Sequence, residues 1–167
     1  MSGSSLITIY KNALNHYTVE QLRYISAPGV WSIGQMYDHV ILTALDYLDQ
    51  VEKCAATVEE QTLGKTEAGA YIFQTGGFPP IKIKLPEGPE NAPSNAESKE
   101  DLMRGLDQVQ LRMRQWEAKL DEIDPKGKVQ HGGFGWLNAR EWFGLVDMHF
   151  RHHLRQKNEL EQSLILI

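Results

Sequence analysis

The sequence predicts an all-α fold, a four-helix bundle with one long proline-rich crossover between its second and third helices. Three observations carry this. Apolar residues recur at three- and four-residue spacing in four separate segments. Five of the seven prolines crowd between positions 79 and 93. Two of the three joints between the helical segments are short, as neighbours in a bundle require. At 167 residues, 41% hydrophobic and 23% charged, the chain has the size and core content of one domain, and residues 1–167 are read as one.

The first helix is expected over residues 6–25, on Ile9, Tyr10, Ala13, Leu14 and Tyr17, and is broken by Pro28-Gly29. The second opens at Ser32, which fits a capping box with Gln35 three residues on. Ile33, Met36, Tyr37, Val40, Ile41, Ala44, Leu48 and Val51 then form a broad apolar face running toward Cys54, with Gly64 as the expected stop. Residues 64–97 read as the crossover. Gly76-Gly77-Phe78-Pro79-Pro80 begins a stretch that no helix holds, and residues 81–85 alternate as a short strand would. The third helix, residues 98–123, carries Leu102, Leu106, Val109, Met113, Trp116, Leu120 and Ile123 in one seam behind an N-cap at Ser98. A glycine-rich turn from His131 to Trp136 leads to Asn138, the expected N-cap of a fourth helix over residues 139–164.

The formal charge of −5 disfavours nucleic acid and anionic membranes as partners, because phosphate binding needs clustered positive charge. A single cysteine rules out an intramolecular disulfide and a cysteine zinc cage. The polar N-terminus lacks the pattern of a signal peptide, and no run approaches the ~18 apolar residues of a spanning helix, so a cytoplasmic protein is expected.

Three of the six histidines lie in the fourth segment. At about 100° per residue, Trp142 and Leu160 fall about 20° from His149, and His153 about 40°. Both histidines therefore point into the apolar stripe, with His152 at its edge. An inward pair at i, i+4 suits chelation of one ion; two packed core histidines would give the same spacing. A third ligand must come from another helix. His39 is the candidate, although the apolar face of its own helix centres about 130° away, which leaves it facing solvent or a polar cleft. His16 and His131 read as surface or loop residues.

The stretch Trp31-Ser32-Ile33-Gly34-Gln35-Met36-Tyr37-Asp38-His39 resembles the second-helix signature of the DinB-like superfamily. His149-Phe150-Arg151-His152-His153-Leu154-Arg155-Gln156 resembles its fourth-helix signature, and the crossover and the Phe-Gly turn before the last helix are similar too. The resemblance implies a metal-binding bundle with the ligand triad His39, His149 and His153. It implies a divalent ion, zinc or nickel first, with iron, manganese or copper as alternatives. Enzymatic members of that superfamily include thiol-dependent transferases and a maleylpyruvate isomerase.

Three neutral histidines leave a divalent ion its full charge and an open position, which suits activation of a thiol or of water. The function expected is thus a metal-dependent transferase or hydrolase acting on a small molecule, with a low-molecular-weight thiol as the candidate co-substrate. The alternative is a non-catalytic bundle, with a structural metal or none, serving as a binding or stress-response protein. Around the triad, Gln35, Asp46, His152, Gln156 and Trp31 are the candidate supporting or pocket residues. Cys54, about 22 Å along the helix from His39 at 1.5 Å per residue, reads as a packing residue. The loop from about Phe78 to Leu85 is expected to cover the metal and select substrates. A homodimer is compatible with such a bundle, and no sequence pattern specifies one.

Overall fold

The computed structural model of the protein describes residues 3–79 and 91–164. Among these are six α-helices and one two-stranded antiparallel sheet. The helices are α1 (Gly3–Leu14), α2 (Val19–Arg23), α3 (Ile33–Ala56), α4 (Glu67–Thr75), α5 (Lys99–Glu117) and α6 (Ala139–Ser163). The strands β1 (Lys128–His131) and β2 (Gly135–Asn138) form a hairpin directly before α6.

Local chemistry sets most of these boundaries. Ser32, Ser98 and Asn138 each cap the helix behind them through a reciprocal capping box, with Gln35, Asp101 and Glu141 at the third position. The expected first helix is two. α1 stops at Leu14 and the chain restarts at Thr18, where a further capping box with Gln21 forces the extended backbone of an N-cap into the middle of the apolar pattern. α3 ends at Ala56, before the expected stop at Gly64. Thr57 turns extended there, and its hydroxyl is bonded to the Lys53 carbonyl. α5 is shorter than expected; residues 120–122 form a separate 3₁₀ turn.

The segment expected to be the crossover contains α4, which the proline count concealed: Thr66 caps its start and Gly76, left-handed at φ 84°, ends it. The expected strand at residues 81–85, and most of the proline run, lie outside the described residues. The glycine-rich turn proves to be the loop of the hairpin, with Val129 opposite Leu137 and His131 opposite Gly135. Gly135 has φ 85°, and a Cβ there would meet the Thr66 amide at 2.7 Å, so only glycine fits this left-handed position.

Packing follows the apolar faces. α3 lies against α6 and α5, and α1 closes the ring by touching α5 and α6. Tyr10 fastens the ring from within. Its hydroxyl donates to the Phe150 carbonyl on α6 at 2.7 Å, and its own carbonyl accepts from the Tyr37 hydroxyl on α3 at 2.7 Å. The same two tyrosines and Phe150 pack edge to face, with no exposed surface on any of the three rings. The hairpin is tied to α6 by the Trp142 indole, which donates to the Val129 carbonyl. Among the described residues, no helix is long and apolar enough to cross a membrane.

Candidate metal centre

The heavily contacting pair α3 and α6 brings three histidines to one point. His39 lies two turns into α3; His149 and His153 lie one turn apart on the facing side of α6. Their Nε2 atoms form a nearly equilateral triangle, 3.2 Å from His39 to His149, 3.2 Å from His39 to His153 and 3.1 Å from His149 to His153. His39 is 2% exposed and His149 8%, and His153 is half-buried. Burial pushes the His149 imidazole well below its ordinary pKa, with the neighbouring His153 and His39 adding to the shift. His153 is pushed down to about 4, chiefly by burial and then by His39. Both histidines of α6 are therefore read as neutral near pH 7.

Hydrogen bonding alone does not satisfy this triangle. Each Nε2 presents either a proton or a lone pair, so of three nitrogens at least two are alike, and at least one edge sets proton against proton or lone pair against lone pair. A shared cation would satisfy all three lone pairs at once. The spacing agrees with that: nitrogens about 2.0–2.1 Å from one tetrahedral zinc stand roughly 3.3 Å apart. The donor set and the geometry thus fit a divalent ion, and these three residues could hold one.

Of the expected supporting residues, Gln156 reaches the triad. Its Oε1 accepts from the His153 Nδ1 at 2.6 Å, which fixes that ring with a lone pair on Nε2. Trp31, half-buried, packs its indole 5.0 Å from the His39 ring. His152 lies beside His153, with ring centroids 5.2 Å apart, but is not among the three clustered nitrogens. Gln35 is engaged in the α3 cap and donates to the Pro93 carbonyl. Asp46 is exposed and accepts from Gln50; it shares the helical angle of His39 but sits about 10 Å further along the axis. Two buried polar atoms near these residues in sequence, His149 Nδ1 and Thr43 Oγ1, have no hydrogen-bond partner among the described residues.

The expectation that His39 faces solvent or a polar cleft is corrected: it is in the core. Hydropathy assigns a helix one apolar face, but α3 is covered on more than one side, and the side bearing His39 meets the histidines of α6. His131, at the end of β1 beside the hairpin turn, is half-buried. Its ring is stacked on Phe134 at 4.3 Å and lies 5.2 Å from Trp142, and its Nδ1 accepts from the Gly133 and Phe134 amides.

Part of the triad's surroundings was expected, in Trp31 and in the loop from about Phe78 to Leu85, of which residues 80–85 lie outside the described residues; the stacking of Phe78 on Phe134 and the approach of Tyr47 were not. Phe78, on the chain leaving α4, lies 6.1 Å from His149 and 5.6 Å from His152, and is stacked on Phe134. Tyr47 packs 6.0 Å from His149. The aromatic hairpin loop beside a histidine-rich helix was the available signal. Cys54 is buried against the Leu137 carbonyl, and burial pushes its thiol up to about 11, which removes it as a nucleophile near neutral pH.

The model of the DinB superfamily matches residues 8–156, a span that includes all three histidines, and the chain belongs to that superfamily. No curated protein and no solved structure matches the chain significantly.

Proposed function

We propose that the protein is a metal-dependent enzyme of the DinB superfamily that activates a thiol or water against a small-molecule substrate in the cytoplasm. On this reading the ring of α1, α3, α5 and α6 is the superfamily's four-helix bundle, and zinc or nickel is the ion. The observation that carries the proposal is the Nε2 triangle: three imidazoles converging from two packed helices, with no fourth protein ligand clustered beside them among the described residues. A divalent ion so held would lower the pKa of bound water to about 7 and would deprotonate a bound thiol.

The chain's own residues do the rest. Gln156 holds the His153 tautomer through its 2.6 Å bond. Trp31 and Phe78 flank the triad and exclude bulk water, which strengthens every charge interaction inside. A second reading, favoured by the burial of His39 and His149, is a structural ion that only staples α3 to α6.

Elemental analysis of the purified protein, and of His39→Ala and His153→Ala, tests the site: about one ion per chain is expected, lost in both variants. Cobalt(II)-substituted protein then separates the two readings. A visible spectrum that shifts when a small thiol is added marks an exchangeable position; a tetrahedral spectrum indifferent to thiols favours the staple. Absence of any bound or acquired ion would overturn both.

A further inference from the structure

The rings around the triad are ordered, and their order bears on what the site takes. His131, Phe134 and Phe78 form a column: His131 and Phe134 are inclined by 18° at 4.3 Å, and Phe134 and Phe78 by 20° at 5.7 Å. The column ends on the histidines of α6, with Phe78 at 73° to His149 and 83° to His152. Its two ends differ in how they are held. The hairpin end is locked. His131 Nδ1 accepts two amides of the turn, Thr66 donates its amide to the Phe134 carbonyl and its hydroxyl to the Gly133 carbonyl, and Gly69 is so close that a Cβ there would stand 2.2 Å from the Phe134 oxygen. The Phe78 end follows Gly76 and Gly77 on non-helical chain. There the Gly76 carbonyl accepts from Arg151 and the Gly77 carbonyl accepts from the Thr75 hydroxyl.

We propose that this column is the specificity surface of the site, and that it selects a substrate carrying a planar, uncharged ring beside its metal-binding group. The inference rests on the proposed metal-dependent function and names its substrate class. Phe134 supplies a fixed face, and Phe78, on the less constrained chain, moves to stack on the incoming ring. Stacking on near-parallel faces favours a flat ring over a saturated one of similar area, because the latter keeps the burial and loses the face-to-face fit.

The test holds the metal-binding group constant and varies the tail. Zinc content is measured first, then the affinities of acetohydroxamate, cyclohexanecarbohydroxamate and benzohydroxamate for the zinc-loaded protein by calorimetry. Benzohydroxamate should bind about tenfold more tightly than the acetyl compound, and more tightly than the cyclohexyl one, as one or two stacking contacts supply. Phe78→Ala should keep its zinc and lose most of that preference; Phe78→Leu, which retains bulk without a flat face, should bind the phenyl and cyclohexyl compounds alike. Zinc retained with no preference for the phenyl compound overturns this inference alone. A phenyl preference that survives in Phe78→Ala and Phe134→Ala, with zinc intact, also overturns it. Failure to hold zinc overturns the proposed function and this inference with it.

Discussion

Gln156 is the most direct handle on the centre without touching a ligand. In Gln156→Leu the His153 Nδ1–H loses its 2.6 Å acceptor. Losing the preference between two neutral tautomers costs little, about 0.4 kcal/mol for a twofold choice at RT of about 0.6 kcal/mol. The larger cost is a half-buried N–H left without a partner, about 1–3 kcal/mol, which is incurred only in the tautomer that offers Nε2 to a metal. The sum, about 1.4–3.4 kcal/mol, is a loss of roughly 10–300-fold in affinity, which overlaps the 10–100-fold found when such outer partners are removed. Competition against a chromophoric zinc chelator measures it directly. Gln156→Glu, which keeps an acceptor and adds charge, should bind as tightly as the parent or more so. Affinity within twofold of the parent in Gln156→Leu would refute the claim that this bond orients the ligand.

Two further outcomes follow from packing and protonation. Gly69→Ala places a Cβ 2.2 Å from the Phe134 carbonyl oxygen, a backbone atom that cannot step aside, whereas Gly64→Ala, at a glycine with nothing within 4 Å, should be tolerated. Thermal unfolding should show a loss of about 1–3 kcal/mol, several degrees in Tm, for the first and little for the second; equal melting would mean that α4 and the hairpin are not locked together. Burial holds the His131 imidazole below its ordinary value, so between its folded and unfolded pKa the unfolded chain binds the extra proton. That contribution to stability is full above about pH 6.5 and is lost as pH falls through the folded value, when Nδ1 ceases to accept the two turn amides. Denaturation of metal-free protein between pH 7 and 4 should show a smaller acid loss in His131→Gln than in the parent; identical slopes would refute the assignment.

Sequence marked the starts of three long helices because a capping box is a local motif: Ser32, Ser98 and Asn138 carry their partners within three residues. The same motif at Thr18 and Gln21 was equally local, and the apolar run through Tyr17 masked it. The hairpin strands are four residues each, too short for alternation to stand out, and α4 needed its Thr66 and Gly76 signals to be weighed above the prolines that follow. The inward direction of His149 and His153 followed from spacing on one helix. The burial of His39 did not, because it depends on which side of α3 meets α6, and periodicity within one helix carries no information about its neighbour. The column of His131, Phe134 and Phe78 is hidden for the same reason: its members come from a hairpin and a loop, 53 residues apart between Phe78 and His131 in the sequence.

His39 and His149 are 110 positions apart, and His153 is four further on. A chain still being synthesised therefore offers a single imidazole of the triad until α6 has emerged, and one imidazole does not chelate. A chelated ion at this centre would have to be acquired after α6 has been made. Once there it would act as a cross-link over more than a hundred residues, opposing the separation of α3 from α6 on a scale set by the freedom that the intervening chain would otherwise regain. Loss of the ion would then register as faster opening of that helix pair as well as loss of any chemistry at the site.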